Sequence, residues 1–218
     1  MIEAVVFDMD GVLVDSEQVW DEIREAFVHE RGGRWHEHAQ DDMMGMSSAE
    51  WSRYMHEELG LAESPETIND EVVRRMLLRY RDELPLLDGA VEAVERLAAR
   101  YPLALASSSN RPLIDAVLDA AGLAGRFVAT VSSEEVPRGK PAPDVFLEAA
   151  RRLGVAAERC AAIEDSGNGL RAAHAAGMRV VALPNPHYPP PADALALAHV
   201  VAGSLDELTP ELVGDVDP

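Results

Sequence analysis

The sequence predicts an α/β protein built on a doubly wound parallel sheet, with an all-helical segment inserted after the first strand. Three observations lead there. Short apolar runs such as Ala4-Val5-Val6-Phe7 have the character of strands buried on both faces. From Pro85 onward such runs alternate with amphipathic helical stretches, as in a parallel sheet with helical crossovers. Residues 16–84 hold helical patterns and no convincing strand. The expected division is a core of residues 1–15 and 85–218 and a helical cap of residues 16–84.

The first strand ends at Asp8-Met9-Asp10-Gly11. Ser16 and Glu17 supply a cap and an acidic first turn for a helix in which Val19, Ile23, Ala26 and Phe27 recur at helical spacing. Gly32-Gly33 stops it. Ser47-Ser48-Ala49-Glu50 opens a second helix carrying Trp51, Tyr54, Met55 and Leu59, with Gly60 after it. Residues 66–84 form a third, with Val72, Val73, Met76, Leu77 and Tyr80 as its apolar stripe. A helix over residues 90–100 precedes the strand Leu103-Ala104-Leu105-Ala106, which runs into Ser107-Ser108-Ser109-Asn110. A helix over residues 111–121 is closed by Gly122 and followed by a strand over residues 127–131. The next helix, residues 143–153, has proline in its first turn. Cys160-Ala161-Ala162-Ile163 is a strand ending in Glu164-Asp165. A helix over residues 166–176 and a strand over residues 179–183 complete the alternation. Residues 184–191 are a Pro-rich surface loop and residues 216–218 a frayed tail.

Composition narrows the function. The 218 residues include 19 basic and 39 acidic side chains, for a net charge of −20. That balance argues against nucleic acid and anionic membranes as partners. The length prior gives one domain with an insert, able to bury roughly 70% of its unfolded surface without disulfide or metal support. The lone cysteine, Cys160, forms no intrachain disulfide and suits a reducing, cytoplasmic setting. The N-terminus lacks the basic start and apolar stretch of a signal peptide, and no apolar run approaches the ~20 residues of a membrane helix. Oligomeric state leaves no mark; a monomer is the simpler expectation. One count stands out: among the 19 basic residues only Lys140 is lysine. It is either a surface accident or a site that needs a compact ammonium rather than a planar guanidinium.

In an open α/β sheet, ligands bind beyond the carboxyl ends of the strands. Asp8 and Asp10, the serine run, and Glu164-Asp165 all sit at such ends, and Lys140 follows another strand. Clustered carboxylates repel unless a cation holds them. Oxygen ligands without nearby His or Cys suit Mg²⁺, which engages phosphates. An ammonium, hydroxyls and helix N-termini complete an anion site despite the overall charge. Asp8 is placed to attack phosphorus. If the backbone stays extended, Asp10, two residues on, faces the same side as Asp8 and could protonate the leaving oxygen and then take a proton from the attacking water.

The motifs resemble those of the haloacid dehalogenase (HAD) superfamily. Val5-Val6-Phe7-Asp8-Met9-Asp10-Gly11-Val12-Leu13-Val14-Asp15-Ser16-Glu17 is similar to its first motif and Leu105-Ala106-Ser107-Ser108-Ser109 to its second. Gly139-Lys140-Pro141-Ala142-Pro143-Asp144-Val145-Phe146 resembles the third, and Ile163-Glu164-Asp165-Ser166-Gly167-Asn168-Gly169 the fourth. All four occur in order across nearly the whole chain. The insert's placement resembles the β-phosphoglucomutase-like group with its helical cap and sugar-phosphate phosphatases such as 2-deoxyglucose-6-phosphatase. The resemblance implies a Rossmann-like core and a cytoplasmic phosphoric monoester hydrolase acting on a small phosphate ester. It implies Asp8 as nucleophile and Asp10 as general acid/base. Mg²⁺ would be held by Asp8, the Asp10 backbone carbonyl and Asp165, with Glu164 close by. Ser107 and Lys140 would grip the phosphoryl group, with Ser108 and Asn110 as secondary contacts. Asp10 separates the chain from true dehalogenases, and a cap without lysine separates it from phosphonoacetaldehyde hydrolases. The alternative is a phosphosugar mutase. By an ungapped count, however, the mutase's cap histidine is Trp20 here and its phosphate-gripping cap arginine is Ser48, which favours hydrolysis.

Other patterns have plainer readings. Gly167-x-Gly169-x-x-Ala172 formally fits a dinucleotide fingerprint, but Glu164 and Asp165 would repel a pyrophosphate, and tight helix–strand packing explains the glycines. His36 and His38 lack a third metal ligand and read as exposed. Cys160, mid-strand, reads as a small buried apolar residue. Met43, Met44 and Met46 fit either the cap's core or an adaptable wall facing the substrate, and so does Trp20. A phosphate-sensing protein without turnover would have no use for Asp10 as an acid/base.

Overall fold

The computed structural model describes residues 1–214. The tail expected at residues 216–218 lies outside them. Six strands form one parallel sheet: β1 (Ala4–Phe7), β2 (Leu103–Ser107), β3 (Phe127–Ser132), β4 (Cys160–Glu164), β5 (Arg179–Ala182) and β6 (Val200–Val201). Their order is β3-β2-β1-β4-β5-β6, so the chain reverses direction across the sheet at β1. The doubly wound α/β architecture is therefore as the alternation predicted. Phe7 pairs with Leu105 on one side and Ile163 on the other. This register puts Asp8, Ser107, Glu164 and Asp165 on a single rim at the switch point, where such sheets bind ligands.

Residue size alternates with the pleat. Val5, Phe7, Leu103, Leu105 and Ile163 face one core, which continues into the helical insert through Trp20, Phe27 and Met76. Ala4, Val6, Ala104, Ala106 and Ala162 face the other. There α7 (Asp144–Leu153) and α8 (Gly167–Ala175) press on the sheet through Ala149, Ala150, Ala172 and Ala173. Small residues on both surfaces let helix and strand backbones approach closely. α5 (Ala90–Ala98) and α6 (Arg111–Ala120) contribute Val94, Leu97, Leu113 and Ile114 to the first core.

The insert comprises α1 (Glu17–Glu30), α2 (Ala39–Met43), α3 (Ser48–Glu57) and α4 (Pro65–Asp82). α3 starts with a capping box between Ser47 and Glu50, and α4 with Ser64 accepting from the Thr67 amide. The two chain segments that lead into and out of the insert pair with each other at the edge of the core. The Asp15 amide donates to the Pro85 carbonyl at 2.8 Å, and the Leu87 amide to the Leu13 carbonyl at 3.0 Å. Among the described residues no helix is long and apolar enough to cross a membrane.

Two details depart from the sequence reading. α2, α9 (Ala192–Leu195), α10 (Pro210–Gly214) and β6 were not expected, because one helical turn or two strand residues carry no measurable period. The buried side of α1 also differs: Ala26 is exposed and Ile23 only half-buried, while Glu17, Trp20, Arg24, Phe27 and Val28 are buried. The insert buries a carboxylate and a guanidinium that are bridged by a third side chain, described below.

Ala162→Leu tests the small-residue contact. The added methylenes would meet α7 and α8, at a cost of about 1–3 kcal/mol, which corresponds to a Tm drop of roughly 2–10 °C. Differential scanning calorimetry would measure it, and an unchanged Tm would show slack where close packing is argued.

Candidate active site

Asp8 immediately follows β1, and its amide donates to the Ile163 carbonyl at 3.0 Å. The chain then turns through Gly11, whose φ of +74° is left-handed. A Cβ there would lie 1.9 Å from Asp165 Oδ2, so glycine is also what lets this turn rest on the Asp165 carboxylate. Gly169 is comparable: its Cβ would lie 1.6 Å from Glu164 Oε1. The glycines of the rejected dinucleotide pattern thus serve close packing, Gly169 on the Glu164 carboxylate and Gly167 on Pro191.

At the centre is Lys140. Its Nζ donates to Asp8 Oδ1 at 2.8 Å and to Glu164 Oε1 at 2.6 Å, and lies 5.0 Å from the Phe146 ring centroid. Lys140 is 2% exposed, Asp8 5%, Asp165 2% and Glu164 fully buried. Burial alone would lower the lysine's pKa, but the charges of Asp8 and Glu164 outweigh it and hold the ammonium above its usual value. Burial, reinforced by the Glu164 and Asp10 charges and opposed by Lys140, raises Asp8 well above the carboxylate range. Asp165 is raised too, by burial and then by Glu164 and Asp8. Glu164 Oε2 accepts from the Ser166 amide and hydroxyl at 2.8 and 3.0 Å, so both of its oxygens are engaged.

Asp10 is held differently. Its Oδ1 accepts from Ser16 Oγ at 2.6 Å and from Trp20 Nε1 at 3.3 Å. Its Oδ2 accepts from Ser109 Oγ at 2.7 Å and, weakly, from Ser107 Oγ at 3.4 Å. Two donors come from the sheet's serine run and two from the start of the insert. Ser109 was not singled out in the sequence, although it stands within the serine run.

The other anticipated residues divide. Ser107 is fully buried beneath the site, accepting from the Ser109 amide at 3.0 Å. Ser108 lines the cleft and donates to the Gly45 carbonyl of the insert at 3.2 Å. Asn110 does not line it: its amide donates to Glu134 Oε1 at 2.7 Å and to Asn69 Oδ1 of α4 at 3.0 Å. Ser48 donates to the same Glu134 oxygen at 3.2 Å. Asn168 donates to the Met44 carbonyl at 3.1 Å. These bonds close the insert over the cleft and leave about 40 Å³ of free space, room for a few waters.

Met43, Met44 and Met46 line the cleft from above, and Met43 also packs in the insert's core, so both readings of the methionines hold. Trp20 likewise belongs to both. Glu17, Arg24 and Trp51 complete the insert's wall. The sequence reading missed Glu17 and Arg24 as site residues. The available signal was their spacing: 17, 20 and 24 share one helix face with Phe27. His36 is exposed and bonded to Tyr54 at 3.0 Å, and His38 is exposed. Cys160 is buried, its thiol pushed up to about 11 by burial.

Asp8, Glu164 and Asp165 each offer an oxygen, all within 4.8 Å of one another. Asp165 Oδ1 is buried with no hydrogen-bond partner. Three buried carboxylates against one ammonium leave negative charge uncompensated, and the donors are all hard oxygens. These residues fit a small divalent cation such as Mg²⁺.

Residues 2–177 match the family described as haloacid dehalogenase-like hydrolase. Hexitol phosphatase B of Escherichia coli K12 is 33% identical over 95% of this chain and 95% of its own length. A probable pseudouridine-5'-phosphatase of Drosophila melanogaster is 32% identical over 96% of this chain and 92% of its own. The crystal structure of CbbY from Rhodobacter sphaeroides in complex with phosphate superposes with a TM-score of 0.86 at 26% identity, covering 99% of this chain and 100% of that one.

Glu17 provides a pH test. Burial and the Asp10 charge raise its pKa from 4.5 to about 7, against Arg24 and Gln40. A raised folded pKa gives stability that is complete below pH 4.5 and lost as pH rises through about 7. Glu17→Gln mimics the protonated form. It should match the wild type near pH 4.5 and exceed it at pH 8 by about 2–3 kcal/mol, read from urea unfolding at both pH values. A pH-independent difference would refute the burial argument.

Proposed function

This chain belongs to the haloacid dehalogenase-like hydrolase family, and we propose that it is a Mg²⁺-dependent, cytoplasmic phosphatase of small phosphorylated metabolites, sugar phosphates foremost. The observation that carries the reading is Lys140 buried between Asp8 and Glu164, opposite Asp165 with its unpartnered oxygen. The hexitol phosphatase among the relatives supports the sugar class.

The residues divide the work. Asp8, Asp165 and the Asp10 carbonyl would hold the metal ion, and Glu164 would anchor Lys140 and the start of α8. A bound Mg²⁺ supplies positive charge that neutralises phosphoryl oxygens. Lys140 and the serine run orient the same oxygens. An Asp8 carboxylate oxygen bonds to phosphorus as the bond to the ester oxygen breaks, giving an aspartyl-phosphate. Asp10 donates its proton to the departing oxygen. It then takes a proton from the water that attacks the same phosphorus, which releases inorganic phosphate and restores Asp8. The closed cleft is too small for a sugar phosphate, so the cap, residues 16–84, must part from the core to admit substrate and close again to exclude bulk water.

Hydrolysis is favoured over the mutase alternative. Trp20, which cannot shuttle a proton, stands against Asp10, and Ser48 is occupied with Glu134.

Asp8→Asn should fold normally and lose at least ~1,000-fold in kcat. Chelation of divalent cations should abolish phosphate release from the wild type, and added Mg²⁺ should restore it. Asp10→Asn should slow release by ~10²–10⁴-fold, and intact-mass spectrometry should trap its phosphoenzyme. A metabolite screen ranked by kcat/KM reads the substrate. Failure of folded protein to release phosphate from any ester above a metal-only blank would overturn the assignment. Isomerisation of a hexose 1-phosphate to its 6-phosphate faster than phosphate release would make it a mutase.

A further inference from the structure

Arg24 is a buried cation on the wall of the cleft with nothing in the catalytic scheme to do. It is 5% exposed and lines the same cleft as Asp10. Its guanidinium carbon lies 4.4 Å from the Trp20 ring centroid and 4.9 Å from that of Trp51. Two indole faces therefore fix the guanidinium in place, while its N–H groups point outward in its own plane. Nη1 donates to Gln40 Oε1 at 3.3 Å. Through its other end, Gln40 Nε2 donates to Glu17 Oε2 at 2.9 Å. The carboxylates of Glu17, Asp10 and Asp21 lie near enough to act on the charge of Arg24. Its Nε is buried without a hydrogen-bond partner. Leaving such a donor unmet is costly, so an acceptor arriving with a ligand has a place to bind.

We infer that Arg24, packed against both Trp20 and Trp51 and bridged by Gln40 to Glu17, is a specificity-determining residue that reads the hydroxyl groups of an uncharged polyol or sugar leaving group. The inference rests on the phosphatase reading and names the part of the substrate that the insert recognises. Charge decides between a hydroxyl and a second phosphate. Arg24 and Glu17 offset each other, and Asp8, Asp10 and Asp165 stand beside them. A second phosphate here would bring up to two further negative charges against one cation already shared with Glu17. A hydroxylated carbon chain has no such conflict. One hydroxyl accepts from Arg24 Nε, another donates to Glu17, and the C–H faces lie against the indoles.

The test is a selectivity ratio: kcat/KM for hexose and hexitol monophosphates divided by that for p-nitrophenyl phosphate, which lacks hydroxyls. Wild type should prefer the polyol monophosphates over both p-nitrophenyl phosphate and hexose bisphosphates. Arg24→Met keeps the aliphatic stem and removes the donors. It should reduce the ratio by about 10- to 100-fold, the range for hydrogen bonds to a charged group. Gln40→Leu, which leaves Arg24 in place but unbridged, should lower the ratio less, and it decides the question if Arg24→Met does not fold. A ratio unchanged within threefold, an equal fall for both substrates, or a preference for bisphosphates would overturn the inference. Wild type that cleaves p-nitrophenyl phosphate without preferring polyol phosphates sinks this inference alone. Wild type that cleaves neither sinks the phosphatase reading as well.

Discussion

A single ammonium organises this molecule. Lys140 joins Asp8, at the end of the central strand, to Glu164, at the end of the neighbouring strand, and all three are withdrawn from solvent. Removing a charge from water is expensive, and a buried ion pair recovers the cost only with close geometry and further hydrogen bonds. Those are present: Glu164 also accepts from Ser166 at the head of α8. The glycines at 11 and 169 follow from the same requirement. Each lets backbone approach a carboxylate where any Cβ would collide with it. The rim is thus built around negative charge that its own residues do not balance, and that imbalance suits it to a divalent cation.

The insert solves a related problem with neutral material. Glu17 and Arg24 are both buried, and Gln40 stands between them with its carbonyl towards the guanidinium and its amide towards the carboxylate. An amide can satisfy both partners at once because it carries donor and acceptor at one end. The arrangement leaves Arg24 below its usual pKa, at about 10, and Glu17 at about 7, as burial demands of incompletely compensated charges.

Much of this was legible in the sequence, and what was not has physical causes. The strands announced themselves because a sheet covered on both faces needs unbroken apolar runs. Asp8, Asp10, Lys140 and Asp165 were legible because strand ends in a parallel sheet share a rim whatever their separation in the chain. Lys140 was marked further by being the only lysine among arginines. Arg24 and Glu17 were overlooked because the amphipathic reading of α1 took its apolar residues for the buried side. A helix that walls a polar cleft has no such simple stripe, and its buried charges look like surface charges until their partner on another helix, Gln40, is known. Asn110 was read as a phosphate contact, yet its amide spans Glu134 and Asn69. Its position after the serine run was plain, but the direction of one side chain at a helix start is set by tertiary neighbours.

Asp8 and Asp10, two residues apart, are held in very different ways. Asp8 is bound to Lys140, and both of its hydrogen-bond partners, Lys140 and Ile163, belong to the core. Asp10 is bound to neutral donors from both bodies: Ser107 and Ser109 from the sheet, Ser16 and Trp20 from the insert. Parting the insert from the core strains or breaks the second pair. In the reaction we propose, the Asp10 carboxylate would therefore be fully held only with the cleft closed and bulk water kept out. The hydrogen bonds that register closure of the insert end on the carboxylate we propose as the acid and base.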